Sequence, residues 1–168
     1  MRIGFSGHQW RDSIDWQWVR VAISDGLSLA PAGFEGLCSL AAGADQAFAR
    51  CVHAHGGRVV AVIPRDDYET FFGDAADLAS YKGLLAVAVR RIDLHDGGDP
   101  QASFFRAGKY ITENAHALMV VWDGKPAQGF GGTADIVQLA RERGIPVLHI
   151  DPLSREIAGG EAWRSLFS

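Results

Sequence analysis

Ala117-Leu118-Met119-Val120-Val121-Trp122 is followed, after a short break, by Gly129-Phe130-Gly131-Gly132-Thr133-Ala134-Asp135 and then by Ile136-Val137-Gln138-Leu139-Ala140-Arg141. The first run reads as a buried strand and the last as a helix, with glycines at the turn between them. Glycine lets another group approach the backbone closely, and the N–H groups at a helix start favour negative charge. Such a turn suits an anion, most often a phosphate.

The same strand-to-helix alternation extends in both directions. Residues 2–7, with Ile3 and Phe5, form a first strand closing on Ser6-Gly7-His8. A helix over 15–30 carries Trp16, Val19, Ile23, Leu27 and Ala30 at helical spacing, and Pro31-Ala32-Gly33 ends it. Residues 34–41 read as a second strand, turned by Ala42-Gly43-Ala44-Asp45 into a helix over 46–55 that stops at Gly56-Gly57. Residues 58–64 are apolar almost throughout, as a strand covered on both faces should be. An irregular segment over 66–73 carries Tyr68, Phe71 and Phe72. A helix over 75–85, a fourth strand over 86–94 and a glycine-bearing loop over 95–99 come next. A helix over 103–116, with Arg106, Lys109 and Tyr110, precedes the fifth strand over 118–122. Beyond the glycine turn, a helix over 134–143 stops at Gly144 and a sixth strand spans 145–150. The remainder reads as a loop and a short helix through Trp163 to Phe167. The pattern predicts a three-layer α/β/α sandwich with a mostly parallel sheet of about six strands, in one domain over residues 1–168.

Composition narrows the function classes. With 48% apolar residues, 21% charged residues and a net charge of −4, the chain reads as globular, and a broad electrostatic grip on DNA or RNA is not expected. Its apolar runs are too short to span a bilayer, and Met1-Arg2 leads straight into a strand without an export signal. The expectation is a cytoplasmic protein with no membrane partner. Cys38 and Cys51 read as small hydrophobes rather than a disulfide or a metal pair. His53 and His55 lie two apart on a helix and so point to different faces, and the histidines show no metal-ligand spacing. No metal and no tightly held cofactor are expected.

In a parallel sheet all strands end on one edge, and ligands collect there where the strand order reverses. Three turns on that predicted edge are small, polar or glycine-rich: Ser6-Gly7-His8-Gln9, Ala41-Ala42-Gly43-Ala44-Asp45 and the glycine turn around Gly131-Gly132. The first lacks the G-x-G-x-x-G order, and no acidic residue closes the second strand to hold a ribose. Neither a G-K-[ST] nor a G-x-S-x-G occurs. Dinucleotide redox chemistry, P-loop hydrolysis and nucleophile-elbow chemistry all lose ground.

Gly4-Phe5-Ser6-Gly7-His8, Leu40-Ala41-Ala42-Gly43-Ala44-Asp45, Val121-Trp122-Asp123-Gly124 and Gly131-Gly132-Thr133-Ala134-Asp135 together resemble the SLOG superfamily. That group unites the DNA-processing protein A fold with the Lonely Guy proteins, and the likeness covers nearly the whole chain. It implies a Rossmann-like sheet that binds nucleotides or nucleotide-derived ligands at the edge just described. Lonely Guy enzymes cleave the N-glycosidic bond of cytokinin nucleoside monophosphates; other members sense ligands, some of them in bacterial defence. The DNA-processing branch binds single-stranded DNA. The enzyme motif is Pro-Gly-Gly-x-Gly-Thr-x-x-Glu. Gly132-Thr133 occupy its Gly-Thr, which puts Asp135 just before the final position and Ile136 at the glutamate. A longer segment, 122–129, replaces the leading Pro-Gly-Gly. The enzyme pattern also has an arginine on the preceding helix, and Arg106 lies about one residue out of register with it.

Cleaving an N-glycoside requires stabilisation of an oxocarbenium-like sugar and a carboxylate near the attacking water. Asp135 and Asp45 are the candidate carboxylates, with Arg106 as the third catalytic candidate. Ligand-binding candidates in the first turn are Ser6, Gly7, His8 and Gln9, and in the second Ala42, Gly43, Ala44 and Asp45. In the third they are Trp122, Asp123, Gly129, Gly131, Gly132 and Thr133. Arg11, Arg106 and Lys109 are candidates to neutralise a phosphate, and Tyr68 and Trp122 to stack on a base. With no glutamate at position 136, the leading expectation is a domain that binds or senses a nucleotide-derived small molecule. The alternatives are a nucleoside 5′-monophosphate N-glycosidase and a single-stranded DNA-binding domain. The resemblance further implies a homo-oligomer paired through helices.

Overall fold

The apolar runs become the strands of one central sheet. The computed structural model describes residues 1–126 and 132–168. Six strands run parallel: β1 (Arg2–Gly7), β2 (Glu35–Cys38), β3 (Arg58–Ile63), β4 (Arg90–Asp93), β5 (Ala117–Val121) and β6 (Val147–Asp151). A seventh, β7 (Glu156–Ala158), runs antiparallel to β6, and the order across the sheet is β4-β3-β2-β1-β5-β6-β7. The chain starts in the middle, works outward to β4, then crosses back to lay β5 on the other side of β1. The strand order therefore reverses between β1 and β5, where a crevice opens at the carboxyl ends of the strands.

Among the described residues, six helices cover the sheet: α1 (Trp16–Leu27), α2 (Ala44–Ala54), α3 (Ala75–Val87), α4 (Pro100–Asn114), α5 (Thr133–Glu142) and α6 (Gly160–Ser165). Because successive strand residues point to opposite faces, each central strand feeds two cores. Ala117, Met119 and Val121 of β5 join the α1, α2, α3 and α6 side, while Leu118 and Val120 join the α4 and α5 side. β3 divides likewise, Val59, Ala61 and Ile63 against Val60 and Val62. These side chains are fully buried, each worth about 1.5–3 kcal/mol for a Val or Leu. Gly26 lets α1 close onto this core: a Cβ there would come within 2.8 Å of Met119, and its carbonyl accepts from the buried Trp163 Nε1 at 2.9 Å.

Three boundaries depart from the sequence reading. The sheet has seven strands rather than six, because Glu156-Ile157-Ala158 pairs with β6 although all three residues are exposed. The second strand stops at Cys38 instead of residue 41, since the Ser39 N–H turns to the Asp45 carboxylate and Leu40 takes a left-handed backbone, φ 58°. Ala86 and Val87 belong to α3, and only residues 90–93 of the predicted fourth strand pair in the sheet. The outer strands differ in character: β4 carries exposed Arg90 and Arg91 paired with Glu35 and Asp93, and β7 is only three residues long.

Candidate functional site

The three glycine-bearing turns meet at the crevice and are tied together largely by backbone. The His8 N–H donates to the Val121 carbonyl and the His8 carbonyl accepts from Ala44 N–H, both at 3.0 Å. The first turn is thus fixed to β5 on one side and to the start of α2 on the other. Gly43 makes the second contact feasible. At φ 94° it has a backbone that side chains rarely adopt, and a Cβ there would lie 2.8 Å from the Gln9 Cα. Across the crevice, Ser6 Oγ donates to Thr133 Oγ1 at 3.4 Å, joining the first turn to the start of α5. Gly129 and Gly131 lie outside the described residues.

Two adjoining cavities open here. The inner one, about 300 Å³, is lined by Ser6, Gln9, Ser39, Ala41, Ala42 and Asp45 on its polar side. Tyr68, Phe71, Phe72, Phe104, Ile111 and Ile136 form its apolar side. The outer one, about 410 Å³, is lined by His8, Trp10, Arg11, Trp122, Asp123 and Lys125 among others. Gly7, Gln9, Gly132 and Thr133 belong to both. The cleft is therefore continuous in lining but opposite in chemistry at its two ends.

Asp45 sits in the first turn of α2 yet makes no cap for that helix. It is 6% exposed, and its Oδ2 accepts from the Ser39 N–H at 3.0 Å. Burial pushes its carboxyl up to about 7, against the opposing pull of the Ser39 and Ala41 amides. A carboxyl so placed exchanges a proton near neutral pH. Asp123, in the outer cavity, goes the other way. Burial raises it, but the Lys125 amide, His8 and Arg11 together outweigh that and hold it below the usual carboxylate range. Arg11 Nη1 lies 3.2 Å from its Oδ2. The His8 ring is held below its ordinary value by burial and then by Arg11. Its Nε2 lies 3.1 Å from the Asp123 backbone nitrogen and 3.2 Å from the Asp123 Oδ1.

The aromatic side is a cover built from separate segments. Tyr68 meets Phe72 and Tyr81 edge-on at 5.4 and 5.7 Å, and Phe71 meets Phe104 at 5.2 Å. Arg65 fastens this cover. Its guanidinium donates twice to Asp67, at 2.6 and 3.1 Å, and also to the Gly98 carbonyl and Ser103 Oγ. It lies 5.3 Å from the Phe71 ring centroid as well. Loops after β3 and β4 and the start of α4 are thereby locked to one side chain.

Of the residues singled out from sequence, Ser6, Gly7, Gln9, Ala42, Asp45, Tyr68, Gly132 and Thr133 line the inner cavity. His8, Arg11, Trp122 and Asp123 line the outer. Gly43 and Ala44 act through backbone, as described. Trp122 lies against His149, ring centroids 5.2 Å apart, and its Nε1 donates to the Lys125 carbonyl at 2.8 Å. Asp135 is half-buried in the first turn of α5 and lines neither cavity. Arg106 is placed off the cleft. Helical spacing turns Phe104, Ala107, Gly108 and Ile111 toward the inner cavity. Arg106, Lys109, Tyr110 and Glu113 instead line a separate hollow, where Arg106 pairs with Asp96. Sequence reasoning missed Ser39, Arg65, Phe104 and Lys125. Only the aromatic density of 66–73 hinted at the cover. No group of three metal-ligating side chains occurs among the described residues.

No family model matches the chain, and no curated protein matches its sequence. Solved structures do match. DNA processing protein A from Helicobacter pylori, studied for its single-stranded DNA binding mode, matches over 99% of this chain and 72% of its own, with TM-score 0.64 and 13% identity. DNA processing protein A from Streptococcus pneumoniae matches 98% of this chain, with TM-score 0.61 and 18% identity; the match spans 56% of that longer protein. A molybdenum cofactor binding protein from Rippkaea orientalis matches 98% of this chain and 83% of its own, with TM-score 0.53 and 16% identity. The chain therefore shares the Rossmann-like fold of these proteins. At these identities the likeness speaks for fold alone. No helix among the described residues is long and apolar enough to cross a membrane.

Proposed function

We propose that this protein binds a nucleotide-derived small molecule. The reading rests on the two-part cleft: an aromatic chamber and a charged one that share Gly7, Gln9, Gly132 and Thr133 at the carboxyl edge of the sheet. A flat base fits the aromatic part. An attached phosphate fits the start of α5, with Arg11 and Lys125 beyond it. Calorimetry with AMP, GMP, CMP, ADP-ribose and cyclic AMP tests this. Saturable binding of at least one, weakened by Thr133→Ala and by Arg11→Ala, is expected; no binding across the panel overturns the reading.

Asp45 favours a second reading, nucleoside-monophosphate N-glycosidase, because a buried carboxyl titrating near neutral pH is suited to proton transfer. Ile136, buried and apolar on the cavity wall, stands where the enzyme motif has its glutamate, and Arg106 faces away. Binding without hydrolysis is therefore the stronger reading. Chromatographic detection of free base from AMP, GMP or CMP, lost on Asp45→Asn, would reverse that order.

A further inference from the structure

Asp45 is the one acidic or basic side chain among the described residues lining the inner chamber. It is more than nine-tenths buried, and what holds it is backbone: the Ser39 N–H on Oδ2, with the Ala41 amide also bonded to the carboxylate. A carboxylate offers about four lone-pair positions, so two amides leave acceptor capacity unused. Among the described residues, no arginine or lysine lines the chamber to use it. Opposite stand the rings of Tyr68, Phe72 and Phe104 and the side chain of Ile136, which offer a flat molecule dispersion and ring contacts. The remaining polar groups among the described lining residues are Ser6 and Thr133, joined to each other at the mouth, with Gln9, Ser39 and the Tyr68 hydroxyl. Among the described lining residues, Asp45 is the one whose side chain, when ionised, accepts without donating.

We infer that Asp45 selects the base, accepting an N–H from the exocyclic amine of an aminated purine or pyrimidine that lies against the aromatic cover. The inference rests on the nucleotide reading above and adds its chemical class. It holds for the ionised acid, so the test is made above pH 7: the protonated acid carries an O–H that would donate to a ring acceptor instead. A ring that lacks the exocyclic amine leaves the ionised Asp45 without that bond and binds less tightly for that reason.

The test compares three pairs by calorimetry on the whole chain: AMP with purine riboside 5′-monophosphate, GMP with IMP, and CMP with UMP. The tightest-binding aminated nucleotide is expected to exceed its partner by roughly tenfold or more. Asp45→Asn presents a donor in place of an acceptor, because its carbonyl oxygen stays with the Ser39 N–H. It is expected to abolish that preference while circular dichroism and a cooperative melt show the fold retained. Phe104→Ala, which thins the aromatic cover, weakens both members of the pair alike and keeps the preference. If nucleotides bind but the pairs are bound equally, the base-selection inference falls and the nucleotide reading stands. If none of the six binds, the base-selection inference falls, and the nucleotide reading falls with it only where ADP-ribose and cyclic AMP also fail to bind. Should Asp45→Asn fail to fold, equal or unequal binding of the pairs by the wild-type chain still decides.

Discussion

Five helices begin at the carboxyl edge of the sheet, and they begin in two ways. α1, α3 and α4 each start from an aspartate: Asp15 accepts from the amides of Gln17 and Trp18, Asp74 from Ala76 and Asp77, and Asp99 from Ala102, with Pro100 at the first helical position. α2 and α5 start from Gly43 and Gly132 and have no side-chain cap. The first group satisfies its own orphan amides with a short acidic side chain. The second leaves its ends small, and those are the two ends that border the cleft. Asp45 sharpens the contrast. It is an aspartate in a first turn that serves the cavity wall instead of its own helix.

Breaking the contrast at Asp45 should have the largest effect. Its folded pKa of about 7 lies above the ordinary 3.8, so between those values the native state holds the extra proton. Stability from this group is therefore full below pH 4 and is lost as pH rises through 7. Asp45→Asn removes the dependence. Urea unfolding of the two chains at pH 4 and pH 8 should shift their stability difference toward the variant by up to about 4 kcal/mol. A difference that stays flat with pH would show that Asp45 is not desolvated as described.

Next comes Gly43→Ala, which puts a side chain at φ 94° and within 2.8 Å of the Gln9 backbone. A cost of about 2–4 kcal/mol is expected from thermal melts, with nucleotide binding impaired because the first and second turns no longer nest. Asp15→Ala and Asp74→Ala should each cost about 1 kcal/mol, the ordinary loss of a cap, without touching affinity. Smallest in stability is Gly132→Ala. Its φ of −79° suits any residue, so the melt should move by only a few tenths of a kcal/mol. Its effect belongs to binding: the added methyl stands at the junction of the two cavities and should lower nucleotide affinity. Unchanged affinity there would remove α5 from the site.

Much of the fold was legible because parallel strands buried on both faces leave continuous apolar runs, as at 58–63 and 117–121. What escaped had no such mark. Glu156-Ile157-Ala158 is exposed and held by pairing with β6 alone, which composition does not reveal. Ala86-Val87 is equally apolar as the end of a helix or the start of a strand, and only tertiary packing decides. At the site, the turns could be read because glycines and helix starts are local features. The aromatic cover could not. Arg65 and Tyr68 come from the segment after β3 and Phe104 from α4, and their meeting depends on how the loops after β3 and β4 fold over the sheet. Arg106 shows a related limit: proximity in sequence to a family position does not say which side of α4 a residue faces, and here it faces the separate hollow.

The two borders of the sheet carry one more consequence. An open strand edge is a template on which another chain can extend the sheet. Here one border presents Arg90 and Arg91, whose charges resist an incoming strand, and the other ends in a three-residue strand too short to seed a ladder. Growth by edge-to-edge addition is blunted on both sides, so this molecule should withstand high concentration without forming cross-strand aggregates.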